Sequence, residues 1–200
     1  MTEIVDSLPT GYSIYERSLV SVGESKLALA RTDAGEKFVY LIGPCLTCKG
    51  EEFASGWRYP LTSETAQALQ EILPWLKPTR IPADRPSFGF GDRLGLATPG
   101  HIRAVRGTAV FPILAQQSVR ENARTGRNFA EVLANAVFGA FQEGYKNEFG
   151  ADADHLKRID DALEAARLHL LHLRPVRLRG HGGGAVFGRS GGPILRAEAC

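Results

Sequence analysis

Asp152, Asp154 and His155 lie within four residues of one another in the stretch FQEGYKNEFGADADHLK, residues 141–157. Carboxylates and a neutral imidazole are hard-to-borderline ligands for a divalent cation, and a carboxylate beside such a cation can also act as a general base. If the segment is extended, Asp152 and Asp154 share one face and His155 points to the other. A twist or turn is then needed for Asp154 and His155 to act together. One histidine is not a metal site, and His101 is the only other histidine in a well-patterned β/α segment. A polar turn that happens to hold three such residues has the same spacing.

A second polar group follows an apolar run: Gln116, Gln117, Ser118, Arg120, Asn122, Arg124 and Arg127. Guanidinium forks hold carboxylates, and amides and hydroxyls pair with hydroxyls, so this set suits a polyhydroxylated, carboxylated ligand. RNA phosphate would use the same arginines, but no aromatic residue interrupts 116–128 to stack a base. Asp92 and Arg93 follow a short predicted strand and form either a salt-bridged turn or part of a site. The glycines at 89, 91 and 95 are spaced G-x-G-x-x-x-G, which is not the dinucleotide fingerprint. Cys45 and Cys48 form a C-x-x-C with no second pair to complete a zinc site, and they read as free thiols.

The elements that must position these residues change character along the chain. Residues 13–22, 26–31 and 37–42 read as an antiparallel meander with turns at Gly23 and Gly35, followed by a Gly/Pro/Cys-rich loop at 43–60. Thr62 or Ser63 can cap a helix reaching about residue 76. A proline-rich linker, 78–86, leads into alternating strand and helix: strand 87–91, helix 99–106, strand 109–115, loop 116–127, helix from Asn128, strand 152–157, helix 159–167. Asn128 with Glu131 three residues on is a capping-box start.

Composition sets the outer bounds. With 200 residues, 44% hydrophobic and 23% charged, the chain can bury a sizeable core, and its net charge of +2 gives no general case for nucleic acid. The N-terminus lacks the charged and apolar regions of a signal peptide, and no apolar run is long enough to cross a bilayer. Three cysteines fit a reducing compartment, so the expected location is cytoplasmic.

Three motifs, FGFGDRLGLATPGHIRA, FPILAQQSVRENARTGR and FQEGYKNEFGADADHLK, resemble those of the tagaturonate epimerase family over roughly residues 86–163. The resemblance implies a β/α barrel that interconverts tagaturonate and fructuronate with a divalent metal cation and no nucleotide cofactor. The epimerised carbon lies β to the ketone, so enolisation cannot invert it. A retro-aldol cleavage can, if a base takes the hydroxyl proton and the aldehyde rotates before the bond re-forms. By resemblance Asp154 is the general base, His155 a metal ligand, and Gln117, Ser118, Arg120, Asp92 and Glu143 are contacts to a small-molecule sugar acid. Family members are longer, and their remaining metal ligands lie outside the matched region.

The expected architecture is therefore α/β: an antiparallel meander plus helix (1–85), the first units of an incomplete TIM-type β/α barrel (86–167), and an unstructured tail (168–200). The tail is rich in Arg, His and Gly without helix or strand period. One codon choice for 168–179 reads FTFFTFDPSDS in another frame, a strand and polar loop of the kind a barrel needs next. On this reading residues 167–200 are out of frame, and sequencing the gene checks it. The alternatives are a non-catalytic sugar-acid-binding module, or RNA or acidic-partner binding through the basic tail.

Overall fold

The computed structural model describes residues 2–154, 156 and 158–167. His155, Lys157 and the tail from 168, with its expected disorder and frame shift, lie outside the described residues.

A short helix α1 (Thr2–Asp6) precedes an antiparallel sheet of β1 (Tyr12–Ile14), β2 (Val20–Val22), β3 (Ser25–Thr32), β4 (Lys37–Ile42), β5 (Glu51–Phe53) and β6 (Gly56–Pro60). Its order is β1-β3-β4-β6-β5, and β2 also pairs with β3. The single strand expected over 13–22 is instead two pieces lying along β3, separated by a 3-10 turn at Glu16–Ser18. Ser18 explains the break. Its hydroxyl donates to the Tyr15 carbonyl (2.6 Å) and accepts from the Leu29 amide (2.8 Å), so a side chain stands in for the ladder. The loop expected at 43–60 contains the β5–β6 hairpin, which turns at Ala54 with φ +50°.

Alternation along β3 and β4 decides which neighbour each face meets. Leu27, Leu29, Val39 and Leu41 join Tyr59 in the main core, while Ala28, Ala30, Phe38 and Tyr40 pack with Ile4 of α1. The main core continues through α2 (Ser63–Ile72) and a 3-10 turn at Pro74–Leu76. Thr62 caps α2 by accepting from the Thr65 amide, as expected, and Pro74 ends the regular helix before residue 76.

After the proline-rich segment come β7 (Ser87–Gly91), α3 (Thr98–Val105), β8 (Phe111–Ser118), α4 (Val119–Thr125), α5 (Phe129–Gln142), β9 (Gly150–Asp154) and α6 (Ile159–Arg167). The three strands form a parallel sheet in the order β7-β8-β9. The Asn128–Glu131 capping box is present in both directions. The region expected as a loop from 116 holds the end of β8 and the helix α4, capped by Ser118 and closed by left-handed Gly126. Phe129, Val132, Leu133, Ala136, Val137, Phe138, Ala140 and Phe141 of α5 lie in the same core as β3 and β4 residues, so the antiparallel sheet and the β/α units share one apolar interior. Among the described residues, no helix is long and apolar enough to cross a membrane.

Candidate active site

In a parallel β/α sheet all strands end on one edge, where the connecting loops leave polar groups free to meet a ligand. Here that edge is formed by Gly91, Ser118 and Asp154, the last residues of β7, β8 and β9. Ser118 pairs with Asp154, Gln117 with Ala153 and Gln116 with Asp152. The extended backbone anticipated around Asp152 is therefore observed, and it brings the Asp152–Asp154 segment beside the Gln116–Ser118 segment.

Which side chains face which way follows from an irregularity in β8. On one side Gly89 pairs with Ile113 but Gly91 with Gln116; on the other Gly150 pairs with Ile113 but Ala151 with Ala115. The extra residue in β8 reverses its alternation, so Gln116 shares a face with Gly89, Gly91 and Asp152, and Gln117 shares the opposite face with Ala151 and Ala153. Phe90 marks that opposite face as the helix side, since its ring lies 4.9 Å from the His101 ring of α3. Ala115 and Ala151 are in the main core, and Ala153 packs against it. Gln117, expected as a ligand contact, is accordingly 3% exposed among helix-side groups, and its Nε2 has no partner among the described residues.

The other expected contacts divide. Ser118 is buried at the edge; its hydroxyl accepts from the Glu121 amide and lies 3.3 Å from Glu121 Oε2. Arg120 is exposed on α4. Asp92 sits at the edge but is consumed by its own loop. Its Oδ1 accepts from the amides of Leu94 (3.3 Å) and Leu96 (3.0 Å), and its Oδ2 from the amides of Ala97 (2.7 Å) and Thr98 (3.1 Å) and the Thr98 hydroxyl (3.2 Å). Burial alone would raise its pKa, but these donors hold the carboxyl below the usual aspartate range. Asp92 therefore shapes the loop rather than offering an oxygen to a ligand. Arg127 secures the same loop by donating to the Asp92 carbonyl (2.7 Å), and Arg93 pairs with Glu121.

Glu143 does not belong to this edge. It follows α5, whose 14 residues span about 21 Å away from the strand ends. There Arg103 donates from Nε (3.1 Å) and Nη2 (2.6 Å), Arg17 donates at 3.1 Å, and Arg106 binds the Glu143 carbonyl at 2.8 Å. The carboxylate is 3% exposed; burial opposes its charge, but the Arg103 and Arg17 pairings prevail and hold its pKa below the ordinary value. The adjoining Gly144, at φ +55°, is required, because a Cβ there would meet the Arg17 carbonyl oxygen at 2.2 Å. A cavity of about 300 Å³ lined by Arg85, Tyr145 and Glu148 also lies at this far end, away from the strand ends.

The donor set at the edge suits a hard cation in part. Asp152 is half-buried, a carboxylate of the kind a hard cation takes, and its register partner on β8 is Gln116. Among the described residues, no three His, Cys, Asp or Glu side chains come together as metal ligands. His101 is not placed to join, since it is held on the helix side against Phe90. Cys45 and Cys48 are free thiols, the first exposed and the second half-buried.

The three motifs that suggested a family all fall on this parallel unit. A family model described as tagaturonate epimerase matches residues 15–171. The chain belongs to the tagaturonate epimerase family. A tagaturonate/fructuronate epimerase of Thermotoga maritima is 41% identical over 170 residues, covering 81% of this chain and 35% of that protein. A crystal structure of a fructuronate-tagaturonate epimerase from Cohnella laeviribosi with two glycerols superposes with a TM-score of 0.76 at 35% identity, over 84% of this chain and 35% of that one. The one-glycerol complex gives 0.74 at 36% identity, over 78% and 32%. The chain thus spans about a third of the length of these relatives. The match reaches well before the epimerase motifs, into the antiparallel sheet, which the motifs alone did not reveal.

Proposed function

We propose that this chain forms the opening part of a TIM-type barrel epimerase that interconverts D-tagaturonate and D-fructuronate in hexuronate catabolism. The observation that carries this reading is the side-by-side ending of β8 and β9, with Ser118 paired to Asp154, in a chain of this family. On this reading the reaction would run in the cytoplasm, a reducing compartment that suits a chain with an odd number of cysteines.

In this mechanism Asp154 takes the proton from the hydroxyl on the carbon to be inverted. The bond between that carbon and its neighbour then breaks, leaving an aldehyde and an enediolate; the aldehyde turns, the bond re-forms, and Asp154 returns the proton. Ser118 and Arg120 border the substrate, the guanidinium meeting the uronate carboxylate. His155 and Asp152 are the candidate ligands for a divalent cation, which would supply Lewis-acid stabilisation of negative charge on oxygen. Gln117 and Asp92 act from behind the site, in the helix layer and the loop.

Calorimetric titration of tagaturonate into the chain, with and without chelator, tests the reading. Binding that requires a divalent cation supports it. Binding indifferent to chelator replaces it with a non-catalytic sugar-acid module, and no binding of either hexuronate refutes it. The 200-residue chain is expected not to turn over substrate, because a closed metal site needs more ligands than Asp152 and His155 supply. Epimerisation by this chain with added cation would contradict that expectation.

A further inference from the structure

We infer that Gln116 is a substrate-binding residue of the hexuronate site, with its amide presented to the ligand from the open face of β8. The inference rests on the functional reading above. Four observations carry it. The bulge in β8 turns Gln116 away from the helix layer, onto the face shared with Gly89, Gly91 and Asp152. Gly89 makes room for it: a Cβ there would lie 2.0 Å from Gln116 Oε1 and 2.7 Å from Nε2, so the amide rests on the bare backbone of β7. Beside that seat, a Cβ at Gly91 would meet nothing within 4 Å, so space for a ligand adjoins the amide. Gln116 is half-buried, and among the described residues no hydrogen bond holds its amide.

The chemistry fits a sugar acid. A primary amide offers two donors and a carbonyl acceptor in one plane, enough to grip a hydroxyl and its neighbour on a polyol chain. Asp152 pairs with Gln116 on the adjacent strand, so both would meet the same part of the ligand. Asp92 at the same edge is saturated by five donors and Gln117 is turned into the core, whereas Gln116 keeps its hydrogen-bonding capacity for a ligand.

Two variants test this without disturbing the apolar core. Gln116→Ala removes the amide. Gly89→Ala displaces it from its seat, at little cost to folding, since the clash is with the flexible end of one side chain. Each is expected to weaken tagaturonate binding about tenfold in calorimetry, the worth of a hydrogen bond or two. In a chain with Cys45, Cys48 and Cys200 changed to Ser, Gln116→Cys should react with a small thiol reagent and be protected by tagaturonate. Wild-type binding with both alanine variants unaffected would overturn the assignment of Gln116 while leaving the functional reading intact, as would an unreactive Gln116→Cys in the folded chain. A wild-type chain that binds no hexuronate would sink the functional reading, and this inference with it.

Discussion

Asp92 shows how a residue with the right chemistry can be committed elsewhere. Its two oxygens accept five hydrogen bonds from the loop that launches α3, and Arg127 braces the carbonyl of the same residue. Asp92→Asn puts an NH₂ group where donors already converge, so it should destabilise the fold by about 2 kcal/mol in denaturant unfolding. The sign with pH follows from the lowered pKa. The contribution of Asp92 is fully present above the ordinary aspartate pKa of about 3.9 and is lost as pH falls through the lower folded value, so the gap between wild type and variant should close in acid. A gap unchanged down to the acid limit would mean that the loop does not depend on the charged form.

At the scale of elements, the β8 bulge sets which edge residues share a face, and α5 supplies much of the core behind the sheet. The helix begins at a reciprocal capping box, Asn128 accepting from the Glu131 amide (2.9 Å) and Glu131 from the Asn128 amide (2.8 Å). Asn128→Ala should cost about 1 kcal/mol of stability, read as a lowered Tm, with Asn128→Ser largely restoring it. The capping box was legible because both partners are local in sequence. The hairpin β5–β6 was not, because β6 owes its extended form to pairing with β4, with Val39 opposite Tyr59 and Leu41 opposite Trp57. The helix α4 was missed for a related reason. Its seven residues carry no apolar stripe, and it is held by Ser118 at one end and Gly126 at the other.

Across the whole molecule, the antiparallel sheet and the β/α units are joined by a shared core and by one buried carboxylate. Glu143 gathers Arg103 from α3 and Arg17 from the turn between β1 and β2. Both arginines are more than half exposed, so solvent screening reduces the worth of the pairs. Glu143→Gln should therefore cost only about 1–2 kcal/mol. The Glu143 pKa is depressed, so its stabilisation is complete above about pH 4.5 and fades as pH falls further. A stability difference that grows on acidification would show that the cluster does not act through charge. Among the described residues β7 and β9 are the outer strands of the parallel sheet, and Phe88, Leu94 and Ile159 are exposed.

The sequence by itself determined what is local: the α5 cap, the strand–helix alternation from residue 87, and motifs specific enough to point to the family. Its pattern predicts a strand over 152–157, whereas β9 runs over Gly150–Asp154, so it is the structure that puts Asp154 at the strand end. Tertiary structure alone decided which polar groups lie on the face of the sheet away from the helices. The side-chain period of a strand is two, so one extra residue in β8 exchanges Gln117 for Gln116 on the open face, and only pairing with both neighbours reveals that residue. The same holds for Glu143, whose sequence neighbourhood looks like a site but whose helix carries it to the far end of the sheet. The Asp152–Asp154 segment, whose residue types suggest the chemistry, closes β9 beside the end of β8 because the parallel register pairs Ser118 with Asp154.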